Sequence, residues 1–340
     1  MLYERELRET ARALVAPNKG ILAADESVGT IGKRFAKLGV ASTAETHRVY
    51  RDMLFTTPGV EEFISGVILY DETIRQESLG GTLFPMLLAE KAVIPGIKVD
   101  MGTVELALHP GEKATQGLDG LRERLAEYRS LGARFTKWRA VITIGTSIPT
   151  RACVSAGAQA LARYAALAQE AGLVPIVEPE VLMDGDHDQE RCELVTLGVL
   201  RSVFNELARQ GVLLEGMLLK PSMTISGKSC PRQAGVQDVA EATVRTLRRT
   251  VPAAVPGIVF LSGGQSSELA TAHLNAMNKL GPHPWELSYS YGRALQEPAL
   301  TIWHGEQANV VAAQAAFYHR SKCNSAARSG SYTPELEREQ

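Results

Sequence analysis

The chain is predicted to be an α/β protein, a single-domain (β/α)8 TIM barrel, on three observations. Eight short apolar stretches alternate with helical hydrophobic patterns at intervals of roughly thirty to forty-odd residues, the spacing of βα units. Nearly every stretch ends on a charged or hydroxyl-bearing residue, as expected of strands whose carboxyl ends converge on one mouth. No shift in composition marks a domain boundary along the 340 residues, a length that one large barrel fills. A doubly wound open sheet is the alternative, but it would not ordinarily load almost every strand end.

In chain order, Met1 to Ala16 sets Leu7, Ala11 and Leu14 at helical spacing among charges, an opening helix without the continuous apolar core of a signal peptide. Gly20-Ile21-Leu22-Ala23-Ala24 is the first strand and runs into Asp25-Glu26-Ser27. Thr43 to Leu54 carries a helical face. Ile64 to Tyr70 is the second strand, closed by Asp71-Glu72. Ile94 to Asp100 is the third, and its alternation sets Lys98 and Asp100 opposite Ile97 and Val99. After a stripe of Leu118, Leu121, Leu125 and Tyr128, stopped by Gly132, Arg134 to Arg139 is the fourth strand, with Lys137 and Arg139 on one face.

Alanine-rich Arg151 to Ala171 has high helix propensity, and Leu173 to Glu180 follows as the fifth strand, with Glu178 and Glu180 sharing a face. Val195, Val199, Val203 and Leu207 mark the next helix. The sixth strand is Gly216 to Lys220, an unbroken apolar run that reads as covered on both faces, and Pro221 ends its pairing. A helix with Val236, Val239, Ala240, Val244 and Leu247 precedes the seventh strand, Gly257 to Gly264. A serine-capped helix through Leu269 and Ala276 leads to the eighth, Leu287 to Arg293. The last helix spans about Glu306 to His319. The domain is thus expected over 1–320, with a flexible carboxyl-terminal tail over 321–340.

The balance of 36 basic and 38 acidic residues gives neither a nucleic-acid footprint nor a polybasic membrane face, and no run is long enough to span a membrane. A small-molecule partner is expected. Cys153, Cys192, Cys230 and Cys323 are far apart and form no C-x-x-C pair, which suits a reducing cytoplasm. The histidines are scattered, and Asp184-Gly185-Asp186-His187-Asp188 reads as a solvated loop rather than a ligand set, so no metal is expected.

Alone, Lys220 reads as a snorkelling side chain. A closed barrel changes this, because it gathers Asp25, Lys98, Lys137, Arg139, Glu178, Glu180, Lys220, Ser262, Ser290 and Arg293 at one mouth. Lys220 near Lys137 in a partly dry pocket would lose its proton more easily, and a neutral amine attacks carbonyls. Glu178 and Asp25 are candidates for the proton transfers of imine chemistry. Each also has a structural reading, Glu178 as a cap and Asp25 as an acceptor. Ser262-Gly263-Gly264 and Ser290-Tyr291-Gly292-Arg293, after strands seven and eight, are placed to hold a phosphate. Lys98 and Arg34, with the hydroxyls of Ser27 and Thr30, form a second cationic cluster. Two anion sites flanking a lysine suggest a bisphosphorylated carbonyl substrate.

These stretches, with Lys137-Trp138-Arg139, Ile176-Val177-Glu178-Pro179-Glu180 and Leu218-Leu219-Lys220-Pro221, resemble the class I, Schiff-base fructose-1,6-bisphosphate aldolases from about Gly20 to about Pro334. The resemblance implies a glycolytic lyase, commonly a homotetramer, that acts on sugar phosphates without cofactor or metal. It implies that Lys220 forms the imine, Glu178 handles protons in carbinolamine dehydration, Asp25 takes the hydroxyl proton that starts carbon–carbon cleavage, and Lys137 supplies positive charge. It also implies that Ser262, Gly263, Gly264, Ser290, Gly292 and Arg293 take the ketone-side phosphate, with Arg34, Lys98, Ser27 and Thr30 toward the other. Glu180 is a charge partner, and Arg139 belongs to the same motif. One departure is expected to matter: animal members end in a tyrosine implicated in enamine protonation, whereas this sequence stops at Gln340 soon after Tyr332. The alternatives are a Schiff-base aldolase preferring another ketose phosphate and a low-turnover sugar-phosphate binding or scaffold protein.

Overall fold

Eight parallel strands close on themselves in the computed structural model, which describes residues 2–338. In chain order the strands are β1 (Gly20–Ala23), β2 (Ile64–Leu69), β3 (Ile94–Lys98), a small antiparallel pair β4 (Thr103–Glu105) and β5 (Lys113–Thr115), then β6 (Phe135–Ile142), β7 (Val174–Val181), β8 (Leu218–Leu219), β9 (Gly257–Phe260) and β10 (Glu286–Tyr291). Around the barrel the order is β1-β10-β9-β8-β7-β6-β3-β2, and β2 pairs back onto β1. This is a single-domain (β/α)8 barrel.

Helices α1 (Glu4–Leu14), α2 (Val28–Ala36), α3 (Ala44–Phe55), α4 (Asp71–Ile74), α5 (Phe84–Glu90) and α6 (Leu121–Ser130) precede the longer α7 (Arg151–Glu170) and α8 (Gln189–Arg209). They are followed by α9 (Val236–Arg248), α10 (Ser267–Lys279), α11 (Arg293–Trp303) and α12 (Val310–Arg328). Several starts carry the caps that the sequence advertises: Thr150, Asp188 and Ser266 each accept a backbone N–H three residues on. No helix among the described residues is long and apolar enough to cross a membrane.

Two cores follow from the two faces of the strands. Outward residues such as Trp138, Val177, Leu219 and Phe260 pack beneath the helices. Inward residues Ile21, Ile68, Phe135, Val174, Ile176, Leu218 and Val259 fill the lower barrel, and Leu7, Ala11 and Leu14 of α1 join this inner core. Helix α1 therefore plugs the barrel at its amino-terminal end. At the fully buried amount of about 25 cal/mol per Å², each such leucine stabilises by ~1.5–3 kcal/mol. The inner space is filled tightly: a Cβ on Gly96 would overlap the Phe135 ring.

The chain departs from its sequence expectation at helices α2, α5 and α11, which the hydrophobic pattern leaves unread, and at three further places. The small β4–β5 pair went unseen because its strands are three residues long and lie at the surface or half-buried. The sixth strand candidate shrinks to β8, because Leu214–Gly216 forms a 3-10 turn, although Lys220 N–H still donates to Val177 C=O at 2.8 Å. The expected flexible tail from 321 is corrected most: α12 continues to Arg328, with Ser321 and Asn324 fully buried and Tyr332 packed behind them. Polar side chains there serve protein rather than water, Ser325 Oγ donating to Asn18 C=O at 2.7 Å and Arg328 Nε to Lys19 C=O at 2.8 Å. Residues 339 and 340 of that expected tail lie outside the described residues.

Candidate active site

Period-two alternation carries each inward face from apolar at the bottom to charged at the top. On β6 the sequence is Phe135, Lys137, Arg139; on β7 it is Val174, Ile176, Glu178, Glu180; on β8 Leu218 leads to Lys220. The register lines up Lys98 with Lys137 and Arg139 with Glu178 across adjacent strands. All these charges line one cavity of about 890 Å³ at the carboxyl ends of the strands. Asp25, Ser27, Thr30, Arg34, Ser262, Gly263, Gly264, Ser290, Gly292 and Arg293 line it as well, so every residue singled out in the sequence meets there.

At the floor a chain of four groups alternates in charge. Lys220 Nζ stands 3.3 Å from Glu178 Oε1, Lys137 Nζ is 3.3 Å from Glu178 Oε2, and Lys137 Nζ is 2.6 Å from Asp25 Oδ2. Lys220, Lys137 and Glu178 are each at most 4% exposed. Burial alone would raise the Asp25 carboxyl, but the Lys137 charge, with Lys220 and Lys98 behind it, outweighs this and holds its pKa far below the usual range. Burial likewise opposes the charge on Lys137, and Asp25 and Glu178 overcome it, so its pKa lies above that of an ordinary lysine. The two lysines are therefore unequal. Lys137 is clamped by two carboxylates and stays protonated, whereas Lys220 contacts one.

Further charged groups line the cavity around this floor. Lys98 Nζ pairs with Asp100 Oδ1 at 2.7 Å, and Arg34 Nη1 with Glu26 Oε1 at 2.5 Å. Ser27 caps α2 and its Oγ lies 3.1 Å from Thr30 Oγ1. Beyond β9, the turn Ser262–Gln265 closes with Gln265 N–H donating to Ser262 C=O at 2.9 Å. Gly264 needs to be glycine there, since its φ is +80° and a Cβ would sit 2.7 Å from Arg293 Nη2. Ser290 Oγ is buried with no hydrogen-bond partner among the described residues, an unsatisfied hydroxyl facing a cationic site. Arg139 Nη1 pairs with Glu180 Oε2 at 2.9 Å, and burial pushes the Glu180 carboxyl up despite that partner.

The Asp184–Asp188 segment is otherwise employed: Asp184 Oδ1 lies 3.2 Å from Lys228 Nζ, and Asp188 caps α8. Elsewhere His319, Cys323 and Glu337 bring ligand-type atoms within 4.8 Å of one another. None of them lines the cavity, and both oxygens of Glu337 already accept from Arg320 at 2.7 Å.

Residues 6–340 match the family model described as fructose-bisphosphate aldolase class-I. The chain belongs to the class I fructose-bisphosphate aldolases. The enzyme is 57% identical over 328 residues to a protein of Xanthomonas campestris pv. campestris named "Probable fructose-bisphosphate aldolase class 1", covering 96% of this chain and 98% of that one. It is 54% identical to a cytosolic fructose-bisphosphate aldolase of Arabidopsis thaliana, over 97% and 92% of the two chains. A solved structure of the Plasmodium falciparum aldolase superposes with a TM-score of 0.95 at 52% identity, over 97% of this chain and 95% of that one. The enzyme is thus a lyase of glycolysis, cleaving fructose 1,6-bisphosphate reversibly to dihydroxyacetone phosphate and glyceraldehyde 3-phosphate.

Sequence reading missed two parts of the enzyme's cavity. Asp100, which holds Lys98, was visible as its partner on the same strand face but carried no separate signal. Glu26 stood beside Asp25 in the sequence, yet its partners Arg51 and Gln296 come from distant helices without any motif.

Proposed function

We propose that Lys220 is the nucleophile of this aldolase and that the cleavage runs through its imine. The observation that carries this is the inequality of the two floor lysines. Lys137 is held as a cation by Asp25 and Glu178, while Lys220 shares only Glu178. Glu178 takes a proton from the Lys220 ammonium, and the freed Nζ attacks the ketose carbonyl carbon. A second N–H proton passes to the carbonyl oxygen to give the carbinolamine, and Glu178 returns its proton to the carbinolamine hydroxyl, which leaves as water. Asp25 takes the proton of the hydroxyl on the far side of the scissile bond. That bond breaks, the aldehyde product departs, and the electron pair moves into the protonated imine to give an enamine. Reprotonation at carbon and hydrolysis of the imine then release dihydroxyacetone phosphate and Lys220. The fixed charge of Lys137 stabilises the negative charge that develops beside it.

Ser262, Gly263, Gly264, Ser290, Gly292 and Arg293 take the ketone-side phosphate, and Arg34, Lys98, Ser27 and Thr30 bind toward the other. Arg139 and Glu180 serve as a charge pair at the wall between them. The buried, unpartnered Ser290 hydroxyl and the glycine turn against Arg293 support this division. The reaction so written needs no cofactor or metal. A homotetramer in the cytoplasm is the assembly and setting that the family resemblance supports.

Steady-state cleavage of fructose 1,6-bisphosphate by Glu178→Gln and Asp25→Asn tests the roles. Loss of a proton-transfer group costs about 10²–10⁴ in kcat, and KM should change much less. A variant that loses affinity while keeping kcat would contradict the assignment for that residue.

A further inference from the structure

Several elements meet at one buried carboxylate that the cleavage steps do not use. Glu26 follows Asp25 directly and lies just beyond β1. Its Oε1 accepts from Arg34 Nη1 at 2.5 Å and from Gln296 Nε2 at 2.9 Å, and its Oε2 accepts from Arg51 Nη2. Arg51 also donates from Nη1 to Gln296 Oε1 at 3.1 Å, where Tyr50 OH donates at 3.1 Å as well. Gln296 Nε2 finally donates to the carbonyl of Ala23, the last residue of β1, at 2.6 Å. The polar groups thus close a ring between the barrel, α2, α3 and α11.

This ring reaches both arginines that the proposed reading assigns to phosphate. It binds Arg34 directly. Arg293 opens α11 and Gln296 stands three residues further, so the bonds from Gln296 to Ala23 and Glu26 fix the first turn of α11 against β1. Arg51 is 2% exposed, and neither Arg51 nor Gln296 lines the cavity. A buried ion pair is a poor source of stability, because desolvation offsets its attraction; what it supplies is a defined geometry. Burial opposes ionisation of Glu26, and Arg51 and Arg34 outweigh it, keeping the carboxyl below its usual range.

We infer that Arg51 and Gln296 are positioning residues for the cleavage reaction: through Glu26 they set the spacing between Arg34 and Arg293, the guanidinium groups at the two ends of the bound sugar bisphosphate. The inference rests on the reading of those two arginines as phosphate ligands. Holding the two arginines at a fixed spacing pre-organises the site, so loosening the ring should be felt in substrate binding.

The test is steady-state kinetics on fructose 1,6-bisphosphate and on fructose 1-phosphate, which lacks the second phosphate. Arg51→Met and Gln296→Met should raise KM for the bisphosphate about tenfold or more, with kcat within about threefold. KM for the single-phosphate substrate should rise much less, because spacing matters only when both ends are held. Arg51→Lys, which keeps a cation on Glu26, should recover most of the bisphosphate KM. Folded Arg51→Met with unchanged KM, equal losses on both substrates, or no recovery in Arg51→Lys would overturn the inference. If Arg51→Met does not fold, Gln296→Met decides by the same criterion. Arg34→Gln and Arg293→Gln, run alongside, separate the two claims. Should neither raise KM for the bisphosphate, the phosphate reading fails and this inference with it; should they raise it while the ring variants do not, this inference alone fails.

Discussion

Lys137 has the most demanding surroundings of any residue on the barrel floor, with one buried carboxylate at 2.6 Å and another at 3.3 Å. Removing it leaves Asp25 and Glu178 without their shared cation, so Lys137→Met should lose about 3–5 kcal/mol of stability in urea denaturation. Combining it with Asp25→Leu should restore much of that stability and none of the activity, since apolar packing replaces a buried ion pair well. An active double variant would contradict the roles assigned here. The pH dependence follows from the two shifts. Asp25 is depressed when folded, so its contribution is complete above about pH 4 and is lost as pH falls from there through the folded pKa. Lys137 is raised, so its contribution is complete below about pH 10 and is lost as pH climbs through the folded value. The stability gap between wild type and Asp25→Asn should therefore be flat from about pH 5 to 9 and narrow below about pH 4. At this scale much of the site was legible, because Lys98, Lys137 and Glu178 end faces whose period is two and Lys220 ends an unbroken apolar run closed by Pro221. Their pairing was not: a sequence shows which face a charge occupies, and it does not show that Glu178 bridges two lysines.

Strands and helices were legible where periodicity was long and illegible where it was short or polar. The eight barrel strands, the alanine-rich α7 and the valine stripe of α8 could be read directly, whereas the three-residue β4 and β5 offered too few alternations. The end of α12 failed for a different reason. Ser321, Asn324 and Arg328 fall in the polar stretch expected to form a flexible tail, yet they are buried, Ser321 bonding Phe317 C=O, Asn324 accepting from Thr271 and Arg328 bonding Lys19 C=O. Within the elements the tightest constraint is Gly96 on β3, against the Phe135 ring on β6. Gly96→Ala should cost about 1–3 kcal/mol by overpacking, and Gly96→Ala with Phe135→Leu should recover part of it. Thermal unfolding of the three variants checks this; a neutral Gly96→Ala would show that the inner layer has slack.

Across the whole molecule, stability and chemistry occupy opposite ends of one barrel. The amino-terminal end is sealed by α1 and by Arg328, which donates to the Val15 and Lys19 carbonyls and pairs with Glu286 at 3.1 Å. Where α1 docks could not be read, because an amphipathic stripe states that a face is buried without naming what covers it. Arg328→Ala strands those carbonyls and should cost about 1–3 kcal/mol in denaturant titration. Its kcat on fructose 1,6-bisphosphate should be unchanged, since the floor lysines lie at the other end. A large kcat loss in a folded Arg328→Ala would mean that the two ends are coupled.

The central claim is that Lys220, not its buried neighbour Lys137, carries the substrate. The most direct measurement is borohydride reduction in the presence of dihydroxyacetone phosphate, with and without a chelator, followed by peptide mass mapping. The account predicts one reduced adduct on Lys220, formed equally well with chelator present. An adduct on Lys137, or no adduct on a folded enzyme that still cleaves fructose 1,6-bisphosphate, would contradict it.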